Sequence, residues 1–347
     1  MLNDVRTNRR ELLLALGAGL AASSAGAAPS QSEIPYRTLG HTGEKVSCIG
    51  MGGSHLGKPE VTESDAIKLV HAGVGRGINF LDNSWDYNKG ESEKRVGKAV
   101  KDGNLRSRVF MMTKNDGRTK DEFNKQLDES LKRLQTGHVD LIQFHEIIRF
   151  EDPDRIFAQG GAAEAALGAK KAGKVRYIGF TGHKDPNIHL YMLKVADRHK
   201  FQFDTVQMPV NVMDYHFRSF TNDVLPELTR RNIGVLGMKS IGDTVILKSG
   251  AVTALECLQF SLSRPVSVQI TGIDKPEILD HAIKAAQTYD EVSKEQMAAI
   301  LDRTKPHAME GKWELFKTSA LFDSTAKHPE WLGSASPHVK AVQPSMS

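Results

Sequence analysis

The chain has 347 residues, of which 39% are hydrophobic and 25% charged, and its formal net charge is +4. That suits one large folded domain, and the lack of a long basic stripe leaves nucleic acid out as a partner. Two cysteines, Cys48 and Cys257, are too few for a disulfide framework and too far apart for a metal motif. Both fall in apolar surroundings and read as small core residues, so no metal is expected.

The first 30 residues differ from the rest. Arg9 and Arg10 precede LLLALGAGLAASSAGAA, an apolar run rich in small residues and free of charge. This is the pattern of a secretory signal, with an A-x-A cleavage site at Ala25-Gly26-Ala27. Diluted by Gly and Ser, the run is a poor membrane span. The arginine pair resembles a twin-arginine signal, read by the export machinery for folded proteins. Asn8 and Leu12 depart from that pattern, and an ordinary Sec signal is the alternative. Residues 1–30 are therefore assigned to a signal peptide, and the expected location is periplasmic or secreted.

From residue 31 onward, eight short apolar runs are centred on Ile49, Phe80, Met111, Ile142, Ile178, Gln207, Leu236 and Gln269. Each is too short for a helix and reads as a buried strand. Helix-like stretches lie between them: Glu63–Arg76, Glu91–Lys101, Lys120–Leu134, Ala162–Lys171, Ile188–His199, Asn222–Arg231 and Ala251–Leu262. In Lys120–Leu134, for example, Phe123, Leu127, Leu131 and Leu134 fall on one face, with charges opposite. Strand–helix alternation near a 30-residue period means parallel strands joined by right-handed crossovers. Eight units close into an α/β fold of the TIM-barrel type, (β/α)8, over residues 31–310. An open doubly wound sheet would need a glycine fingerprint after its first strand, and GMGGSHLG matches it poorly. Residues 311–347 form an irregular extension with scattered aromatics. It either covers the barrel mouth or packs on the side.

Polar residues punctuate the ends of three runs: Asp82 after INFL, Tyr87 five residues on, Lys114 closing VFMMTK, and His145 after DLIQF. A buried strand has no cheap place for an unpaired charge. Charges at the same end of successive strands therefore point to a shared site.

The segments YRTLGHTGEKVSCIGMGG, GINFLDNSWDYNKGESEKRVGKAV, MMTK, DLIQFH, RYIGFTGH, VQMPVN and GIDKPEILDHA carry a resemblance to the aldo-keto reductases, over Tyr36 to Ala286. The most specific part is D-x-x-x-x-Y followed by G-x-S-E-x-x-x-G. The resemblance implies a β/α barrel, hydride transfer between a nicotinamide cofactor and a small-molecule carbonyl or alcohol, and a tetrad of Asp82, Tyr87, Lys114 and His145. Chemistry gives each member a role. A nicotinamide supplies the hydride, since no side chain can. Tyr87 supplies the proton as general acid, and Lys114 is expected to lower its pKa from near 10. Asp82 aims Lys114, and His145 donates to the substrate oxygen as charge develops there. Asp86, next to Tyr87, is expected to point elsewhere.

The resemblance also places the cofactor, NADPH or NADH. Gln207, at the end of the sixth strand, matches the glutamine that contacts the nicotinamide amide. Thr181 and Gly182 stand where Ser-Asn is usual. Met238 and Lys239 replace an aromatic and a serine; methionine still covers a ring face, and Lys239 reaches toward the pyrophosphate. Gly272 and Lys275 precede a helix whose N-terminus receives phosphate. Asp274 would repel a 2′-phosphate and Lys275 would attract it, so the two cofactors stay open, with NADPH ahead on family habit. Trp85 is expected to wall the substrate pocket and His55 to face its mouth. An alternative function is a catalytically idle barrel that keeps a nicotinamide cofactor as a binding or redox-sensing subunit.

The export reading has a direct check. Replacing Arg9 and Arg10 by lysines should strand the protein in the cytoplasm, seen by fractionation; undisturbed export would identify a Sec signal.

Overall fold

The computed structural model describes residues 34–334, so the expected signal segment lies outside the described residues. A short antiparallel hairpin comes first, β1 (Tyr36–Thr38) with β2 (Lys45–Ser47). Eight parallel strands then close on themselves: β3 (Ile49–Gly52), β4 (Phe80–Asp82), β5 (Phe110–Asn115), β6 (Val139–Phe144), β7 (Val175–Thr181), β8 (Thr205–Pro209), β9 (Gly234–Met238) and β10 (Val268–Gly272). Neighbours follow chain order, and β10 pairs with both β9 and β3. This is the expected (β/α)8 barrel.

Alternation along the strands sorts side chains into the barrel or out toward the helices. Phe80, Phe110, Met112, Leu141, Leu236, Val268 and Ile270 fill the lower interior, joined by Leu39 and Val46 from the hairpin segment. The hairpin thus plugs the end where strands begin. Gly50 carries no side chain because a Cβ there would lie 2.6 Å from Ile270 Cδ1 and 3.1 Å from Phe80 Cδ1. Cys48 and Cys257 are both fully buried, and burial pushes their thiols up to about 11 and about 12. They are inert core residues.

The helices begin where their caps put them. Thr253 and Glu256 form a capping box, so the helix expected from Ala251 starts at Ala254. Asp185 accepts from Asn187 N and Pro186 follows it, so the crossover helix after β7 spans Pro186–Arg198 instead of starting at Ile188. The stretch expected as one helix, Asn222–Arg231, is two pieces, Phe220–Asp223 and Leu225–Arg230, split at Val224 just before Pro226. Proline has no N–H to continue the ladder. The long connection after β6 holds a helix, Glu151–Phe157.

The described part of the C-terminal extension, residues 311–334, lies across the strand-end face. Lys317 is fully buried and its ammonium meets Asp214 at 2.6 Å, the Phe217 carbonyl at 2.7 Å and Glu314 at 3.1 Å. Further on, Glu146 accepts from Ser324 N and Thr325 N at 2.9 and 2.8 Å. Asp323 meets His183 at 3.1 Å and Lys184 at 2.8 Å. Of the two placements left open by the sequence, the described part of the extension takes the one over the mouth.

Candidate active site

Inward phase decides which residues reach the mouth. Phe80 and Asp82 share a face of β4, Met112 and Lys114 a face of β5, and Leu141 and Gln143 a face of β6, with His145 two residues beyond. The polar ends of these three inward rows meet. Lys114 Nζ donates to Asp82 Oδ1 at 2.5 Å, to the Asn83 carbonyl at 2.8 Å and to Tyr87 Oη at 3.1 Å. An ammonium has three N–H donors, so this one is fully committed. Lys114 is only 1% exposed, and a buried charge is tolerable only when paired in this way.

Tyr87 stands on the loop after β4, held by Trp85 N to the Lys114 carbonyl (3.0 Å) and Tyr87 N to the Ser84 carbonyl (3.2 Å). Its ring meets that of His145 edge-on, with centroids 5.8 Å apart. All four residues expected from the sequence therefore converge. His145 is oriented by groups the sequence reading missed: its Nδ1 lies 3.0 Å from Asp116 Oδ1, 3.2 Å from Ser84 Oγ and 3.4 Å from Asp86 Oδ1. Asp86 does not point elsewhere; it turns inward beside the imidazole. Asp116 was findable, since it sits two residues after Lys114 and continues the inward row.

The electrostatics correct one expectation. Burial raises the Tyr87 phenol well above its ordinary value, and Asp82, Asp86, Glu146 and Asp116 add to the rise. The anticipated lowering by Lys114 is overridden chiefly by burial, and Asp82, closer to the ammonium than the phenol is, offsets the lysine's charge. Burial likewise raises Asp86. Burial alone would lower His145, yet Asp86 and Asp116 outweigh it and the net direction is upward. Asp86, Asp116 and His145 thus bring side-chain polar atoms within 4.8 Å of one another.

A cleft of about 510 Å³ leads away from this cluster, within the range of small-molecule sites. Thr181, Gly182, Gln207, Met238, Lys239 and Gly272 all line it, as expected, and His55 faces it too. Gln207 is the middle residue of β8, not its end, and its Oε1 is buried with no hydrogen-bond partner. Gly182 leaves no room for the missing amide side chain, because a Cβ would lie 2.3 Å from the Ile147 carbonyl. Lys239 has a left-handed φ of 57° and its ammonium faces the rings of Phe322 and Phe316 at 4.6 and 5.5 Å. No carboxylate pairs with it among the described residues, and burial lowers its pKa.

Two expectations fail. Lys275 is exposed and is not a wall of the cleft, whereas Asp274 and Ile278 are. Trp85 is not a wall either: its indole donates to Glu129 at 2.7 Å and its ring meets Trp331 edge-on at 5.3 Å. The walls that sequence reasoning missed, Glu146, Leu321, Phe322 and Ser324, come largely from the extension.

With the geometry in place, the comparisons agree on a family. Residues 48–253 match the model of the aldo/keto reductase family. That span includes the four converging residues and the cleft walls up to Thr244, but not Gly272 to Ile278. The L-galactose dehydrogenase of Arabidopsis thaliana is 33% identical over 229 residues, 63% of this chain and 69% of that protein. The aldo-keto reductase YhdN of Bacillus subtilis is 30% identical, covering 56% of this chain and 58% of its own length. The solved structure of an aldo-keto reductase from Bacillus halodurans, AKR11C1 in its holo form, superposes with a TM-score of 0.64 at 22% identity. It covers 78% of this chain and 96% of that one, and it shows the fold.

The raised phenol is testable. In a spectrophotometric titration the difference between wild type and Tyr87→Phe should stay flat up to about pH 10. A tyrosinate step below pH 9 that the substitution removes would contradict this reading.

Proposed function

The chain belongs to the aldo/keto reductase family and is an NAD(P)H-dependent oxidoreductase, and from that premise we propose that it reduces a small aldehyde or ketone with Tyr87 as general acid. The observation that carries this is the Lys114 ammonium, bonded at once to Asp82 and to the Tyr87 hydroxyl. Because its phenol is raised, Tyr87 holds its proton throughout the physiological range. When a carbonyl oxygen takes that proton, Lys114 is already donating to the oxygen left behind. The developing phenolate is thus met by a donor that need not reorganise. His145, at the same end of the cleft, donates to the carbonyl oxygen as its charge grows.

The cleft suits the cofactor the family uses. The unpartnered Gln207 Oε1 could accept from a carboxamide N–H, Met238 would offer an apolar face, and Lys239, without a carboxylate partner among the described residues, would meet a diphosphate. The bound nicotinamide supplies the hydride that no side chain can. An idle barrel would gain nothing from a fully committed buried ammonium touching a phenol.

Tyr87→Phe should lower kcat for carbonyl reduction by roughly 10²- to 10⁴-fold, the usual worth of a general acid, while cofactor affinity, read by fluorescence titration, stays within about twofold. Undiminished turnover would refute the role. The first measurement is a screen of aldoses, other aldehydes, ketones and quinones for oxidation of NADH and NADPH.

Cofactor choice follows from which charge faces the cleft. We propose a preference for NADH, since Asp274 lines the cleft and Lys275 does not. A carboxylate accepts from a ribose hydroxyl and repels a 2′-phosphate. Asp274→Asn should tighten NADPH binding about tenfold, worth about 1.4 kcal/mol, with little gain for NADH. Equal affinities in the wild type, or no change in the variant, would overturn the preference.

A further inference from the structure

We propose that Asp116 and Asp86 are positioning residues that hold the His145 ring by Nδ1 and so present Nε2–H to the substrate oxygen. The inference rests on the function proposed above.

Ionised carboxylates only accept hydrogen bonds. Asp116 Oδ1, within hydrogen-bond distance at 3.0 Å, therefore calls for a proton on Nδ1; Asp86 Oδ1 stands 3.4 Å away as a facing charge, and the Ser84 hydroxyl, 3.2 Å from the same nitrogen, can accept as well as donate. A ring protonated at Nδ1 alone would turn an acceptor lone pair toward the cleft. A ring protonated at both nitrogens turns a donor there, and a carboxylate on each side favours that charged form. His145 lines the cleft, and its Nε2 meets no partner among the described residues.

The two carboxylates are otherwise underused. Asp116 Oδ2 and Asp86 Oδ1 are buried without a hydrogen-bond partner. Other buried aspartates behave differently: Asp152 accepts from Arg118, Ile148 N and Arg149 N, and Asp214 accepts from Phe220 N, Thr221 N and Lys317. Burying carboxylates with lone pairs to spare is costly unless a cation faces them. The cation available is His145. Each carboxylate arrives from a different element, Asp86 from the loop after β4 and Asp116 from the loop after β5. The ring is thus fixed from two sides, like a metal-ligating histidine steadied by a neighbouring carboxylate.

The charged and titratable groups around His145 are Asp86, Asp116, Tyr87 and its own neighbour Glu146. Beyond them stand His183, which faces Glu146, and Lys114, which Asp82 already engages.

The test is a histidine side-chain ¹⁵N NMR titration of the full-length protein, with the His145 signal assigned by its loss in His145→Gln. In the wild type Nδ1 should carry its proton throughout, and the ring should titrate above the midpoint of a free imidazole. Asp116→Asn and Asp86→Asn should each lower the midpoint by about one pH unit or more. The basic limb of the kcat–pH profile should move by the same amount, with KM for the cofactor unchanged. A purely structural role would lower the rate evenly without moving the limb. An unprotonated Nδ1 in the wild type, or unmoved midpoints, would overturn the proposal. Should Asp116→Asn not fold, Asp86→Asn carries the same reading. The titration needs no turnover, so it separates failure of this inference from failure of the carbonyl-reductase reading.

Discussion

The ammonium of Lys114 is the constraint on which the site depends. It is nearly inaccessible to water, and leaving such a charge without its partner typically costs about 3–5 kcal/mol. Its three hydrogens must therefore find acceptors within the barrel mouth. Satisfying them fixes the last residue of β4 (Asp82), the carbonyl that follows (Asn83) and the phenol at the tip of the next loop (Tyr87). A single buried cation thus dictates the conformation of the segment 82–87, and that conformation places the phenol beside the imidazole.

Around this pair the barrel is graded. Its lower interior is apolar and sealed by the hairpin, while its upper interior carries carboxylates, amides and an imidazole. Several acids crowd around few cations there, and the outcome is a set of opposing shifts. Burial pushes Tyr87 well above its ordinary value and Asp86 up to about 6, while the carboxylates beside His145 raise the imidazole against its own burial. Groups pushed apart in this manner are what acid–base chemistry at neutral pH needs. Residues 311–334 complete the mouth, anchored through Lys317 and Asp323 and through Glu146, the residue next to His145.

The fold was legible because period and phase are local properties. Apolar runs near a 30-residue spacing, and inward residues two apart on a strand, can be read without coordinates. Asp82, Lys114 and His145 were visible for that reason, and Asp116 obeys the same rule. The remainder depended on contacts distant in sequence. Nothing near Trp85 says that Trp331 and Glu129 draw it off the cleft. Nothing near Glu146 says that residues 324 and 325 will sit on its carboxylate. The direction of the Tyr87 shift was also hidden, because it depends first on how deeply the phenol is buried and then on four acids brought together from separate strand ends and loops, rather than on the lysine beside it. The turn of Asp86 toward His145 was unreadable too, since loop backbone, not strand alternation, sets it.

The account's central claim is that this cluster delivers a proton while a hydride crosses to the same carbonyl. The most direct measurement uses reduced cofactor with both C4 hydrogens of the nicotinamide replaced by deuterium, incubated with an accepted aldehyde and analysed by mass spectrometry. The account predicts deuterium on the carbinol carbon of the product, with the hydroxyl hydrogen taken from solvent. Product free of deuterium from the C4 position, formed by protein that binds the labelled cofactor, would contradict it.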